Sequence, residues 1–515
     1  MKKNNTSVSR ILCCALLLSQ LCACSSPIII YDTPLSDAVT ADETVPAVTE
    51  TEAVTETAPI TEAPVTETVP AETEALPDPL DLARDELSKL RRDDLDGMNI
   101  LIAAAYESAV FGDAFDGDNA GSTVLPVTRA ERTRLVEERY NVRILNYVFE
   151  KEALFREIKN ANLSDVPYVA DFYALPYDQI GRFWANGLLL NLRTLPFTDF
   201  RESYFDRTAM NALSAGYGIW GAVGDYTFSP ENAYAIYFNK DLNQTLGLAE
   251  PYAQVNDGTW TWDALFSASK TARASLDGEG NATIWGDNLG TLGIEICEPL
   301  FTDAAALSIV STGADRTPTV SSDTDRMTTV AELLRRGMQN ASTAPASNDT
   351  KTFLDGNMLY YCGTLSHMSA WADEKTPWGI VPLPKTDAAQ RTYNTYVGDS
   401  AVMCVASTNG ALEATGTIMQ ALFASAAHTY PDIYIDEALR YYVRDSETVE
   451  MLDLICSSMR YDFTSMFASG FKNLGYASEY TIRSAVTQNY SVKSVYNNYR
   501  AAAEKELKAA FPTDR

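Results

Sequence analysis

Apolar residues along this chain fall into two alternating patterns. A nearly continuous apolar run at 98–105 (MNILIAAA) predicts a strand of the buried parallel type, and 142–149 and 168–173 predict a second and a third strand. Between them, 127–140 and 150–162 space their apolar residues at helical intervals beside a charged face, and Asn141 is the predicted left-handed cap. A further helix is predicted over 177–186, closed by Gly187. Upstream, 79–92 predicts a charged helix with Asp78 as N-cap and Pro79 at its first position, where the missing N–H does no harm. Strand–helix alternation with short joints predicts a parallel α/β sheet. Farther on, 235–239 (AIYFN) predicts a strand, 240–248 a turn or two of helix closed by Gly247, and 259–270 a helix capped by Thr261.

The first 77 residues follow a different rule. Lys2, Lys3 and Arg10 precede a mainly apolar run at 11–21, too short to span a bilayer and shaped like an export signal. It ends in Leu21-Cys22-Ala23-Cys24, which resembles the lipobox of bacterial lipoproteins; that resemblance implies cleavage before Cys24 and a lipid on its sulfur. Residues 25–76 are Thr, Glu, Ala, Pro and Val in loose repeats without a single Lys or Arg. Such a segment cannot bury a core and is expected to be an extended, disordered tether.

The remaining length suffices for two or three domains, with 46% hydrophobic residues over the 515-residue chain. Net charge is −29 and no cluster of five basic residues occurs, which argues against nucleic acid as a partner and against highly anionic ligands. Cys297, Cys362, Cys404 and Cys456 lack metal-ligand spacing, and His367 and His428 are the only histidines in the chain. Four buried free thiols are expected, since a core this large needs no staples; two disulfides are the alternative. The chain has no H-E-x-x-H, G-x-S-x-G or P-loop motif, so catalysis, metal and cofactor are not expected. The acidic loops 116–121 and 277–281 both fail the EF-hand pattern.

Four stretches, in order, carry a family resemblance. The first is Val136-Glu137-Glu138-Arg139-Tyr140-Asn141-Val142. The second is Val169-Ala170-Asp171-Phe172, followed by Asp178 and then by Ala185-Asn186-Gly187-Leu188-Leu189-x-x-Leu192. The third is Tyr237-Phe238-Asn239-Lys240-Asp241-Leu242, followed by Thr261-Trp262-Asp263-Ala264-Leu265. The fourth is Phe353-Leu354-Asp355-Gly356-Asn357-Met358, followed by Trp378-Gly379-Ile380-Val381-Pro382-Leu383-Pro384. Across roughly 97–510 the chain resembles the extracellular solute-binding proteins of ABC importers, of the family 1, maltodextrin-like type. The resemblance implies an α/β, two-lobed periplasmic-binding-protein-like fold of type II. It implies an N-lobe over 97–228 and 395–455, and a C-lobe over 229–390 and 456–515, after a signal peptide at 1–23 and a tether at 24–77.

It also implies a receptor on the outer face of the membrane, lipid-anchored and monomeric, that takes a carbohydrate between its lobes and delivers it to permease subunits. The implied ligand residues are Asp178, Glu231 or Asn232, Tyr234, Glu298, Thr364, His367 and Tyr480. Glu298 opens Glu298-Pro299-Leu300-Phe301-Thr302, similar to the E-P-Y-F-T run of maltodextrin receptors. Leu300, Leu365 or His367, and Leu175 stand where those receptors carry aromatic platforms, so maltodextrin itself is not implied. Tyr177, Phe228, Tyr234 and Trp371 are the alternative rings for stacking on a sugar face. The rival readings are a surface glycan-binding lipoprotein without a transporter and an extracellular glycoside hydrolase.

Overall fold

The computed structural model describes residues 29–30, 78–105, 124–164, 169–275, 284–313, 316–321, 323–345, 349–398, 400–443 and 445–511. The export segment, Cys24, most of the tether and the acidic loops 116–121 and 277–281 lie outside the described residues. One piece of the tether has structure: β1 (Ile29–Ile30) pairs antiparallel with Val148 and Tyr147 at the edge of the first sheet. This backbone pairing covers the last two residues of an edge strand that would otherwise be open there.

The first sheet grows from β2 (Met98–Ala104), β3 (Val142–Val148), β4 (Phe172–Pro176) and β8 (Ala401–Val405), in the order β1-β3-β2-β4-β8. β2 runs parallel to β3 and to β4, while β8 runs antiparallel to β4. Helices α1 (Pro79–Lys89), α2 (Val124–Tyr140) and α3 (Lys151–Asn162) surround it, with α8 (Leu412–Ser425) packed on α1 and α2. The caps work as expected: Asp78 accepts from Leu80 N–H, and Asn141 takes φ 50°. β4 differs from expectation, beginning at Phe172 where the sequence predicts 168. Asp171 stands just before it, its carboxylate accepting from Leu101 N–H at 2.9 Å. The strand itself is selected by β8, whose five residues pair with all of β4.

The second sheet has three strands, β6 (Tyr360–Thr364), β5 (Tyr234–Asn239) and β7 (Trp378–Val381), with β5 central and both pairings antiparallel. Asn239 caps the short helix Lys240–Thr245 by accepting from Leu242 N–H. Thr261 caps α5 (Trp262–Arg273) as predicted. Trp260 and Trp262 are fully buried; the first donates to Pro382 O at 2.8 Å and the second stacks on Phe301 at 3.9 Å. The outer layer contains α6 (Ile294–Ala304), α7 (Thr324–Met338), α11 (Thr481–Thr487) and α12 (Val492–Ala510), which pack on one another.

Three stretches of chain run side by side between the sheets. Tyr234 N–H donates to Tyr396 O and Gly398 N–H to Asn232 O; Thr395 N–H donates to Ser458 O and Arg460 N–H to Thr395 O. Beyond them, α9 (Ser446–Ser457) packs on β7, and α10 (Phe463–Phe467) packs on Tyr177–Gln179 and on α4 (Ile180–Ala185). All four cysteines outside the N-terminal segment are buried and free. Among the described residues no helix is long and apolar enough to cross a membrane.

Candidate functional site

The chain leaves the carboxyl end of β4 through Tyr177 and Asp178, the edge at which open α/β sheets present ligand-binding groups. Asp178 is exposed, its carboxylate accepting from Gln179 Nε2 at 3.1 Å. Facing it, α6 presents Glu298, 6% exposed. Together they line a cavity of about 200 Å³ that also takes in Tyr396 from a crossing segment and Glu479 and Arg483 from the late helices.

Charge in this cavity is unevenly balanced. Arg483 reaches Glu298 at 3.3 Å and Glu479 at 3.6 Å with the same nitrogen. Burial pushes the Glu298 carboxyl up to about 7, the neighbouring Glu479 adds to this, and Arg483 opposes it. Asp462, on the same wall, is held by Arg460 at 3.0 Å, by Ser308 Oγ at 2.8 Å and by Thr464 N–H at 2.8 Å. Arg460 also reaches Asp303 at 2.5 Å. This knot fixes the last crossing segment to α6. Aromatic rings form a second feature: Tyr234 stacks on Tyr396 at 5.2 Å, and the Tyr396 and Tyr177 phenols are hydrogen-bonded. Burial pushes the Tyr177 phenol well up, so it stays a neutral donor and acceptor.

Of the residues expected at a ligand site, Asp178 and Glu298 meet in this cavity, and Tyr234 adjoins it through Tyr396. Asn232 holds the crossing together through its backbone, and Glu231 lies 3.6 Å from Arg129. Thr364 pairs with Tyr234 in the second sheet, one strand away. His367 is packed between Tyr361 and Trp371, its Nδ1 on Thr364 O at 3.0 Å. Trp371 is buried at 3% exposure and Phe228 packs on Tyr434. Tyr480 turns toward Tyr476 and Tyr499. The reason is local: Tyr476–Tyr480 is a π-helical turn, whose extra residue shifts the register of the side chains around it. It is Glu479, not Tyr480, that lines the cavity. Tyr396, Glu295, Glu479 and Arg483 carried no family motif; the i, i+4 pair Glu479/Arg483 was the one available signal.

A larger, more open hollow of about 1010 Å³ is lined by Arg193, Asp206, Arg207, Asp225, Arg316 and Tyr461, among others. Of the expected site residues only Phe228, one of the alternative stacking rings, lines it. The smaller cavity is the candidate site because strand end, crossing segment and second-lobe helices converge there. Among the described residues no group of carboxylates, cysteines and histidines is disposed to hold a metal ion.

No protein-family profile and no curated protein matches this chain. Solved structures do. The galacto-N-biose/lacto-N-biose I-binding protein of an ABC transporter from Bifidobacterium longum, in complex with lacto-N-biose, aligns with TM-score 0.51 and 14% identity over 81% of this chain and 99% of that one. The cyclic α-maltosyl-1,6-maltose-binding protein of Arthrobacter globiformis gives TM-score 0.51 and 15% identity over 81% and 99%. The GacH receptor of Streptomyces glaucescens, solved unliganded and with acarbose, gives 0.50 and 14% over 80% and 99%. The chain has the two-lobed, periplasmic-binding-protein-like α/β fold of the sugar-binding receptors of ABC transporters.

Proposed function

We propose that this protein is an extracytoplasmic receptor that captures a carbohydrate between its lobes and passes it to an ABC permease. The observation that carries the reading is that Asp178, from the end of a first-lobe strand, and Glu298, from a second-lobe helix, line one cavity. A ligand bound to both favours the closed arrangement by the difference in contact energy between closed and open states. Carboxylates accept from sugar hydroxyls, Arg483 donates to them, and the Tyr177–Tyr396–Tyr234 group offers ring faces. A few such bonds and one stacked ring account for micromolar affinity, about −8 kcal/mol.

The cavity is below the roughly 300–1,000 Å³ of drug-sized ligand sites, which suits one sugar ring better than a chain of them. Binding without turnover is the reading because the solved structures of the same fold are binding proteins. Cys24 would hold the tether to the membrane, and the permease would supply the energy of transport.

The test is a thermal-shift screen against mono- and oligosaccharides, with amino acids and peptides as controls. A saccharide that raises Tm, lost in Asp178→Ala and in Glu298→Ala, is the expected result. A peptide that raises Tm where no saccharide does would overturn the substrate class, and release of reducing sugar on incubation would make the protein a hydrolase.

A further inference from the structure

We propose that the preferred ligand of this cavity is an amino-substituted saccharide, bound through its protonated amine; this rests on the carbohydrate reading above. Five carboxylates line the cavity, those of Asp178, Glu295, Glu298, Asp462 and Glu479, against the single guanidinium of Arg483. No lysine lines it. Asp462 is accounted for by Arg460, Ser308 and Thr464. Arg483 is divided between Glu298 and Glu479 at 3.3 and 3.6 Å, both longer than the ~2.7–2.9 Å of a strong charge-assisted bond. Asp178 and Glu295 have no cation within ion-pair distance among the described residues. The two lie on opposite sides of the cavity, one after β4 and the other on α6.

Closing the lobes over this arrangement removes water from carboxylates whose charge the protein does not match. A buried carboxylate then either takes up a proton or acquires a counter-ion. The first response is visible at Glu298, which burial and Glu479 make a weaker acid. A ligand ammonium supplies the second. Its three N–H donors can bridge carboxylates from both lobes, so its charge is used most fully in the closed form.

A uronic acid would add like charge to the lining. A neutral sugar would leave Asp178 and Glu295 with hydroxyl partners alone. A metal ion is a poorer solution, because the carboxylates do not converge on one point. The net charge of −29 also favours approach of cations over anions.

The groups facing Glu298 are Glu295 and Asp303 on α6, Glu479 and Arg483 on the late helices, Asp462 in the last crossing, and Tyr177 and Asp178 of the first lobe. Over the cavity lining as a whole, five carboxylates stand against the one guanidinium of Arg483. The ammonium complex therefore holds Glu298 ionised, and its binding at pH 6 releases a proton that a neutral sugar does not displace.

The experiment is titration calorimetry on the full chain with glucosamine, N-acetylglucosamine, glucose and glucuronic acid, with calcium chloride alone as a control. Glucosamine is expected to bind at least tenfold more tightly than its N-acetyl form or glucose. Glucuronic acid is expected to be the weakest. The preference shrinks in 0.5 M salt, and proton release at pH 6 shows as a difference between buffers of unlike ionisation enthalpy. Asp178→Asn with Glu298→Gln should remove the preference.

Glucose or N-acetylglucosamine binding as well as glucosamine overturns this inference and leaves the carbohydrate reading standing. Binding of none of the four sugars overturns the inference together with its single-ring basis. Calcium binding with the affinity expected of glucosamine replaces the amine by a metal and overturns it equally.

Discussion

Glu298 holds its proton more tightly in the folded protein than in the unfolded chain, with a carboxyl raised from 4.5 to about 7. The sign of the consequence follows from linkage. Between those two values the folded state binds more protons, so stability is fully present below about pH 4.5 and is lost as pH rises through 7. The loss approaches ~3 kcal/mol when Glu298 is fully ionised. Asp303 and Asp225 are also raised, to about 6 and about 8, so wild-type stability falls from pH 5 to pH 8 in denaturant titrations. Glu298→Gln should flatten that fall; a wild-type stability that climbs over the same range would contradict the burial assigned to these groups.

The four thiols give a second residue-scale expectation. Burial pushes Cys297 up to about 12 and raises Cys362, Cys404 and Cys456 as well. None should react with iodoacetamide at pH 8 until denaturant is added, as mapped by mass spectrometry. Asp178 and Glu298 were legible in the sequence because short motifs surround them. Glu479 and Arg483 were not, because a π-turn whose position no local pattern announces decides which side chains of that helix face the cavity.

At the rim of the cavity, α4 crosses the segment after α10 at backbone contact. A Cβ on Gly181 would lie 2.3 Å from Phe467 O, and one on Gly470 would lie 2.3 Å from Gly181 O. The backbones touch, and Ser469 Oγ donates to Asp178 O at 2.7 Å beside them. Gly181→Ala or Gly470→Ala forces these elements apart at the rim of the cavity. Each is expected to cost about 1–3 kcal/mol, read as a lower denaturation midpoint. Gly410→Ala, with nothing within 4 Å, should stay within about 0.5 kcal/mol of wild type. If Gly410→Ala destabilises as much as Gly181→Ala, the close approach is not the cause.

At this scale the helices and the first strand were readable from periodicity, since local pattern and tertiary burial agree for α2, α3 and β2, while β3 forms where expected but is only half-buried. β4 was misplaced by four residues. The apolar stretch around it is longer than the strand, and its register is chosen by β8, far away in sequence.

An aromatic cluster packs the first lobe against the end of the chain. Trp184 of α4 stacks on Phe511 at 4.7 Å and meets Phe471 at 5.5 Å, Trp220 at 6.0 Å and Phe467 at 6.1 Å. Phe463 stacks on Phe467 at 4.6 Å. Phe511 terminates α12, which is seated on α7 in the second lobe. The cluster therefore ties the two lobes on the side where Ser469 meets Asp178.

Opening the cleft stretches these contacts, so the cluster biases the free protein toward closure and lowers the share of binding energy spent on it. Phe511→Ala, a change outside the cavity lining, removes the central ring. Truncations of this kind cost about 3–5 kcal/mol in a well-packed core, so Tm should fall. Small-angle scattering should show a larger radius for the variant without sugar, and a saturating saccharide should bring it back toward the wild-type value. Affinity should drop while the ranking among sugars stays unchanged, because every cavity residue is still present. A variant with lower Tm but unchanged radius and affinity would make the cluster ordinary core, leaving the three crossing segments to set the balance between open and closed forms.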